Sequence, residues 1–537
     1  MTRPRSRTLS DLLEEQAERC PDRPAVVHRD GSTTYAALRD RAEQVRRALV
    51  RGGVRRGDRV GLLVTNRVEW LETCFGAAGA RATVHALNTW VTERELEHLL
   101  GQADCNVLVL LAEHGRHRYA DDLRHLVPEL WEAGPGRWRS SRYPSLRTVV
   151  VLDGAPVPGA VDYEAWLAAG AEAPEPPGEG LPPAGEAAVV LYTSGSTARP
   201  KAVPLLHHGM VENGFAIGER MGLTGSDRVW LASPLFWSFG CANALMATFT
   251  HGATLVLQEQ FKPAEAVELI ERERCTVGYL LPTLTRALLE AEGFDAARLA
   301  SLRTGLTIGT PDEVRLAVEG LGVEGICNVY GSTETYGNCC VTPHTMDLAD
   351  RLVCQGPPLP GVRVRVVDPL TDEELPTGEV GEIRVTGYLT PGYLGQSPAD
   401  SPFTADGWYR TGDLGRRDER GRLQYVVRAT DMIKTAGINV APAEVEEFLL
   451  TVDGVAQVAV VGAPDPARGE VVVAFVVPEP GRDLQEQELI EACRGDLASY
   501  KVPARVSVVD DLPKTGTGKL HRVKLRDAVA QLPSGRS

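Results

Sequence analysis

Val189–Leu205 reads VVLYTSGSTARPKAVPL: an apolar strand, then a loop dense in hydroxyl side chains, then a lysine. Gly195 lets a backbone approach an anion closely, and Lys201 supplies a mobile positive charge. The hydroxyl groups that can donate hydrogen bonds belong to Thr193, Ser194, Ser196 and Thr197. This order predicts a phosphate-binding loop, although such loops are also typical of solvent-facing turns. It is not the G-x-x-x-x-G-K-[ST] loop of P-loop NTPases.

The segments on either side of this loop alternate between strand and helix patterns. Short apolar runs such as NVLVLLA (106–112) and TVVVL (148–152) are separated by amphipathic stretches such as PAEAVELIERE (263–273). Strands that alternate with helices indicate an α/β domain built on parallel sheets. We therefore predict α/β subdomains from the first helix to about residue 325.

The pattern changes after Pro357, where strands are separated by turn residues. The strand-like runs are VRVRVVD (362–368), GEIRVTG (381–387) and RLQYVV (422–427). They predict a β-rich subdomain at about 355–428, which completes a large N-terminal domain over 1–429. The remaining residues, 430–537, contain their own strands and helices and are numerous enough for a separate, smaller α+β domain.

Composition excludes several classes of protein. The chain has 537 residues, of which 43% are hydrophobic and 24% are charged, so it can build large cores and is not disordered. A formal net charge of −15 opposes binding to phosphate backbones and anionic lipid, so we expect neither nucleic acid nor a membrane as the main partner. The N-terminal stretch is amphipathic, and the ten cysteines form no C-x-x-C pair. We expect a cytoplasmic protein with reduced thiols.

Four further motifs follow the loop in a fixed order: NVYGSTETYG (328–337), GWYRTGDLG (407–415), VVRATDMIKTAGINVAPAEVE (426–446) and PKTGTGKLHR (513–522). Together with the loop they resemble the adenylate-forming superfamily of acyl- and aryl-CoA ligases, adenylation domains and luciferases. The resemblance covers nearly the whole chain. It implies an enzyme that activates an acid with ATP, releases pyrophosphate and passes the acyl group to a nucleophile. It also implies that the C-terminal domain moves between these two half-reactions.

The resemblance assigns catalytic roles to four residues. Lys519 corresponds to the catalytic lysine of the family, and Lys201 with the loop Thr193–Thr197 would bind the β and γ phosphates of ATP. Thr333 would contact the α-phosphate. Glu334 would bind Mg2+, since a hard cation that bridges phosphates prefers carboxylate oxygen.

Other motif positions imply contacts to the nucleoside. Tyr330 would stack on adenine, although a tyrosine after an apolar strand is as typical of a core. Asp413 would accept the ribose hydroxyls, or could cap a turn. Arg428 would assist at the ribose or a phosphate. The remaining binding residues implied are Gly309, Thr310 and Pro311 beside the adenine and acyl pockets, and Lys434 on the face used in the second half-reaction.

The chain departs from the family pattern at four positions. Alanine replaces the usual glycine at 198 and 202, tryptophan replaces a histidine at 237, and threonine stands at hinge position 430. A large indole at 237 predicts a reshaped acyl or acceptor tunnel. The residues predicted to line a compact pocket for a small, aromatic acid are Phe236, Trp237, Gly331 and Gly337.

Three functions remain open on this basis. The first is an ATP- and Mg2+-dependent ligase that transfers the activated acid to CoA. The second keeps the adenylation but changes the acceptor to a carrier protein or an amine, or the acid to an unusual oxyacid such as nitrite. The third is a catalytically silent nucleotide sensor, against which the retention of Lys201 and Lys519 argues. The sequence does not indicate an oligomeric state.

Overall fold

The computed structural model describes residues 3–115, 117–154, 156–172, 180, 182–193, 200–397, 401–435, 438–465, 468–497, 500–514 and 520–531. The chain divides into two compact units. The first comprises Met1–Arg363 and Val385–Tyr409, and the second Val364–Arg384 and Arg410–Ser537. The predicted boundary between 429 and 430 remains a prediction, because it concerns which part of the chain moves.

The helices and strands have the following bounds. The helices are α1 Leu9–Arg19, α2 Tyr35–Arg51, α3 Val68–Gly79, α4 Glu93–Ala103, α5 Tyr119–Leu126, α6 Tyr163–Ala171, α7 His207–Met221, α8 Met246–Thr250, α9 Pro263–Arg272, α10 Pro282–Leu289, α11 Pro311–Arg315, α12 Leu348–Val353, α13 Pro442–Leu450, α14 Glu486–Asp496 and α15 Arg522–Gln531. The strands are β1 Pro24–His28, β2 Gly31–Thr34, β3 Arg59–Leu63, β4 Thr83–Ala86, β5 Val107–Leu111, β6 Thr148–Leu152, β7 Val161–Asp162, β8 Ala187–Thr193, β9 Lys201–Leu206, β10 Arg228–Leu231, β11 Thr254–Leu257, β12 Val277–Tyr279, β13 Thr304–Thr307, β14 Gly325–Tyr330, β15 Cys340–Val341, β16 Arg363–Val367, β17 Gly381–Thr386, β18 Tyr409–Arg417, β19 Leu423–Arg428, β20 Ile433–Thr435, β21 Ile438–Val440, β22 Val455–Asp465, β23 Gly469–Pro478 and β24 Arg505–Val508.

The first unit is built on two mixed sheets. One has the strand order β7-β6-β5-β3-β4-β8-β9, and its only antiparallel pair among the described residues is β8–β9. All five residues of β5 are buried, as expected for a parallel strand covered on both faces. The other sheet has the order β15-β14-β13-β12-β10-β11-β1-β2, parallel except at its two edges. The predicted α/β class is confirmed.

Helix α4 links β4 to β5 of the first sheet. Thr92 caps its first turn: the Thr92 hydroxyl accepts a hydrogen bond from Glu95 N at 3.4 Å, and the Glu95 carboxylate accepts one from Thr92 N at 2.8 Å. Such reciprocal caps satisfy amide groups that the helix itself leaves unpaired. The helix packs through Leu96, Leu99 and Leu100, so its opposite face is left for other contacts.

The second unit contains the smaller sheets. Strands β16–β19 form a four-stranded sheet in that order, in the region predicted to be rich in strands. A five-stranded sheet has the order β21-β20-β23-β22, with β24 paired to β23. One core lies between this sheet and α13 and α14, and a second includes Leu525 and Val529 of α15. The five-stranded sheet together with α13, α14 and α15 therefore has the α+β character expected of residues 430–537.

The segment 133–145, AGPGRWRSSRYPS, contains no helix or strand. This segment is held against the rest of the first unit, because the buried indole of Trp138 donates a hydrogen bond to Gly159 O at 2.8 Å and Tyr143 is also buried.

No helix in the described ranges combines the length and apolar character needed to cross a bilayer. All ten cysteines are free, and all but Cys20 are buried. Burial raises the pKa of the Cys105 thiol to about 12, so it stays protonated at neutral pH.

Two buried histidines make the stability of the first unit depend on pH. Burial lowers the pKa of His85 to about 3 and that of His207 to about 4. His85 Nδ1 lies 2.7 Å from the Tyr192 hydroxyl. In the unfolded chain each histidine takes up its proton near pH 6.5. The free energy of unfolding therefore falls by about 1.4 kcal/mol per histidine for each pH unit below that value. Urea unfolding should therefore give a lower free energy at pH 5 than at pH 7. In His85→Gln this drop should shrink by about 2 kcal/mol; an unchanged drop would contradict the assignment.

Candidate active site

The predicted phosphate loop is closed by the antiparallel hairpin β8–β9. Thr193 and Lys201 are cross-strand partners, so the two ends of the loop are neighbours. The strand, loop and lysine thus follow the predicted order at the described positions. Ser194, Gly195, Ser196, Thr197 and Ala198 lie outside the described residues.

Tyr393 brings together two residues that the sequence places far apart. The Tyr393 hydroxyl donates a hydrogen bond to Glu334 Oε1 at 2.7 Å, and Lys201 Nζ lies 4.7 Å from the centre of the Tyr393 ring. Burial and the Glu334 carboxylate raise the pKa of Tyr393, so its hydroxyl keeps its proton and remains a donor. A cation over the ring face and a carboxylate that accepts a hydrogen bond from the hydroxyl both stabilise the Tyr393 side chain in this position.

The segment Thr390–Leu394 holds Tyr393 in this position. Thr390 N donates to Glu334 O at 2.9 Å, the Thr390 hydroxyl donates to Pro204 O at 2.7 Å, and Leu394 N donates to Ala202 O at 3.0 Å. The segment therefore ties β9 to the turn that carries Glu334. The sequence analysis missed Tyr393; its only local signal is the preceding Pro-Gly pair, which marks a turn.

The turn after β14 contains residues that were predicted for the site together with Tyr336, which was not. The Thr333 hydroxyl donates to the Ser238 hydroxyl at 3.3 Å. Gly337 has φ +94°, and a Cβ there would lie 2.8 Å from Asn243 Oδ1, so only glycine fits. Tyr336, which was not singled out, is fully buried, and its hydroxyl accepts a hydrogen bond from Leu206 N at 3.0 Å. A Cβ at Gly331 would lie 2.9 Å from Cys339 N.

The predicted adenine-side residues lie at strand ends of the second sheet. Tyr330 is the last residue of β14 and is 8% exposed. Thr310 caps α11: the carboxylate of Glu313 accepts a hydrogen bond from Thr310 N at 2.9 Å, and Pro311 occupies the first helical position. Because a Cβ at Gly309 would lie 2.8 Å from Glu313 Cβ, these three residues have a local structural role.

Trp237 belongs to a group of three aromatic side chains. Its ring centre lies 5.0 Å from that of Trp90 and 5.8 Å from that of Phe236, and Trp90 and Phe236 are 5.5 Å apart. All three pairs meet edge to face, which is a favourable arrangement for aromatic rings. Phe236 is buried, whereas Trp90 is 44% exposed. Trp90 was not predicted, because nothing local marks a tryptophan 147 residues away from its partner.

The second unit pairs the two residues predicted to contact the ribose. Asp413 and Arg428 are cross-strand partners in β18–β19, and Arg428 Nη1 lies 3.2 Å from Asp413 Oδ1. Lys434 N donates to the Glu470 carboxylate at 2.7 Å.

The hinge position predicted at Thr430 is fixed within the second unit. Arg526 donates to Thr430 O at 2.9 Å and forms an ion pair of 2.6 Å with Asp431. The predicted catalytic residue Lys519 lies outside the described residues.

Glu334 can serve as a magnesium ligand with the groups around it. Only Oε1 is engaged by Tyr393 in the described contacts, and Glu334 as a whole residue is 7% exposed. Within the described ranges no three His, Cys, Asp or Glu residues form a metal cluster. Magnesium in nucleotide sites is commonly held by one or two carboxylates together with the phosphates and water, so a single carboxylate fits the ion.

A hairpin with Lys201 at the start of its second strand, and with Glu334 joined to Lys201 through Tyr393, is the arrangement expected of an enzyme that binds a nucleotide. Residues 13–394 match the family of AMP-binding enzymes, and residues 444–519 match the C-terminal domain of AMP-binding enzymes. The chain belongs to this family, the adenylate-forming superfamily, and is an AMP-forming acid ligase. The predicted family is confirmed.

Relatives of known name are similar over almost the whole chain. YngI of Bacillus subtilis (strain 168) is 34% identical over 98% of this chain and 97% of that protein. The mitochondrial medium-chain acyl-CoA ligase ACSF2 of Danio rerio is 32% identical over 97% of this chain and 88% of that protein. The crystal structure of the anthranilate CoA ligase AuaEII in complex with anthranoyl-AMP has a TM-score of 0.85 at 26% identity, covering 98% of this chain and 97% of that one.

Proposed function

We propose that this protein adenylates a small carboxylic acid with ATP and transfers the acyl group to CoA. The observation that carries the proposal is the joining of Lys201 and Glu334 by Tyr393, because it puts a cation and a carboxylate at one place beside the phosphate-type loop. The names of ACSF2 and AuaEII support CoA as the acceptor.

In the first half-reaction the acid's carboxylate oxygen attacks the α-phosphorus, and pyrophosphate leaves with the electron pair of the broken P–O bond. Lys201 and the loop Thr193–Thr197 would neutralise the β and γ phosphates. Thr333 would donate to the α-phosphate, and Lys519 would stabilise the charge that develops there. Donors that are already oriented stabilise such a transition state without further reorganisation.

Glu334 would hold the magnesium ion, which would draw charge from the phosphate oxygens. The Tyr393 hydroxyl donates to one carboxylate oxygen, and the other oxygen would be available to the ion. Thr390 N fixes the backbone of Glu334. These contacts would keep the carboxylate oriented before ATP binds.

The family motifs imply the contacts to the nucleoside. Tyr330 would stack on adenine beside the turn Gly309–Pro311. Asp413 would accept hydrogen bonds from the ribose hydroxyls, with Arg428 paired to its carboxylate. Lys434 would face the acceptor in the second half-reaction.

The acid would be compact, and an aromatic ring would suit it. Phe236 and Trp237 occupy space with large rings, whereas Gly331 and Gly337 add no side chain. AuaEII, whose name specifies anthranilate, supports an aromatic acid, and ACSF2, whose name specifies medium-chain acids, supports a chain. The substrate therefore has to be measured.

ATP–pyrophosphate exchange across a panel of acids tests the first half-reaction, because it presumes no acceptor. AMP release with and without CoA then tests the second. We expect exchange with at least one small acid and AMP formation that depends on CoA. Exchange without any CoA dependence would favour a carrier protein or an amine as the acceptor. Absence of exchange with every acid would contradict the proposal.

Replacing Trp237 by alanine should widen the pocket. We expect the ratio of kcat/KM for a straight-chain acid to that for a compact aromatic acid to rise about tenfold, because one or two methylenes of pocket space carry discrimination of this size. Trp131→Ala, which removes an indole outside the aromatic group, serves as the control. An unchanged ratio in Trp237→Ala would exclude this indole from the acid pocket.

A further inference from the structure

A cleft of about 750 Å³ opens beside Lys201 in the first unit. One face of α4 forms one wall, and Arg142, the start of β9 and the segment that follows Tyr393 form the others. The Gln102 amide donates to Pro200 O at 3.3 Å and so fixes α4 to the start of β9. The cleft therefore shares Lys201 and Tyr393 with the candidate active site but extends away from it.

The charge of this cleft is opposite to that of the chain. Among the described residues, Arg94, Arg142 and Lys201 line it together with one carboxylate, Glu97, while the whole chain carries a net charge of −15. Glu97 forms an ion pair with Arg142. Arg94 is exposed and forms no ion pair with any residue in the described ranges. A cationic recess on an acidic surface attracts small anions.

The wall formed by α4 has a glycine, Gly101, in the last turn of the helix. Gly101 lies one and two turns from Glu97 and Arg94, so the three share one helical face. Glycine destabilises a helix relative to alanine, yet a Cβ at Gly101 would meet nothing within 4 Å. No packing contact among the described residues explains this glycine, whereas a ligand lying against the helix backbone would.

We propose that this cleft binds a phosphate group of the enzyme's own ligands, with Arg94 as its main ligand; the proposal rests on the proposed function. One guanidinium group can donate two parallel hydrogen bonds to two oxygens of a phosphate. Lys201 connects the cleft to the predicted phosphate loop. Apart from ATP, AMP and the acyl adenylate, two ligands of the reaction carry a phosphate group. One is the pyrophosphate that leaves with the electrons of the broken P–O bond, and the other is CoA through its 3′-phosphate.

Binding of inorganic pyrophosphate to the free enzyme, measured by calorimetry, is the first test. Arg94→Ala should weaken binding about tenfold, as expected for the loss of one charge-assisted contact. Glu97→Gln should strengthen it about threefold, because Arg142 then loses its competing carboxylate. Arg137→Ala, an exposed arginine outside the cleft, is the matched control and should change nothing. Thermal unfolding checks that each variant is folded.

The second test distinguishes the two sources of phosphate. The KM of each variant is measured for CoA and for dephospho-CoA, which lacks only the 3′-phosphate. If Arg94→Ala raises KM for CoA about tenfold and leaves that for dephospho-CoA unchanged, the cleft binds CoA. If only pyrophosphate binding weakens, it binds the leaving group. If folded Arg94→Ala alters neither while the wild type still forms AMP, the inference is overturned and the proposed function is not.

Discussion

Glu334→Gln is expected to lower kcat/KM for ATP in pyrophosphate exchange by about 10²-fold or more. The substitution keeps the shape of the side chain and an oxygen that can still accept the Tyr393 hydrogen bond, but it removes the charge. Binding of ATP should also lose its dependence on Mg2+ in calorimetric titrations with and without EDTA, a measurement that does not require turnover. An unchanged midpoint of thermal unfolding would show that the fold is retained.

Tyr393→Phe separates the charge of Glu334 from its orientation. This variant removes the hydroxyl that donates to Glu334 Oε1 but leaves the carboxylate charged and the ring under Lys201 in place. We expect a smaller loss, about tenfold, which is typical when a ligand loses the group that orients it. Equal losses in the two variants would indicate that the Glu334 charge acts only in the orientation that the Tyr393 hydrogen bond imposes on it.

Several elements of the site could be predicted because their signals are local. An apolar run that ends in a hydroxyl-rich loop and a lysine predicts β8, the loop and Lys201 within one segment of sequence. The same is true of the β14 turn that carries Thr333 and Glu334. Local signals of this kind come from strand patterning and turn chemistry, which depend on neighbours in the chain.

The contacts that join these elements could not be predicted in the same way. Tyr393 meets Glu334 across 59 residues, and Trp90 meets Trp237 across 147 residues. Their positions depend on the order of strands in two sheets, in which β8 lies beside β4 and β14 beside β13. Strand order follows from packing of the whole unit, and no short pattern encodes it.

The cationic cleft illustrates the same limit at the level of charge. Arg94 and Arg142 are ordinary arginines in a chain with 57 Lys and Arg residues, and neither stands in a motif. Only the packing of α4 beside β9 brings them next to Lys201. An acidic net charge therefore describes the chain as a whole but not the places at which it can bind an anion.

Lys519→Ala is expected to reduce pyrophosphate exchange by about 10²- to 10³-fold, the loss found when a preoriented donor to a developing charge is removed. The prediction rests on the motif PKTGTGKLHR, because this lysine lies outside the described residues. Lys524→Ala provides the matched control: Lys524 is an exposed lysine of α15, five residues further along the chain. Since Lys519 would act on adenylate formation, the variant should still transfer the acyl group when it is given a preformed acyl adenylate and CoA. Near-normal exchange in Lys519→Ala, or equal losses in both variants, would contradict its catalytic role.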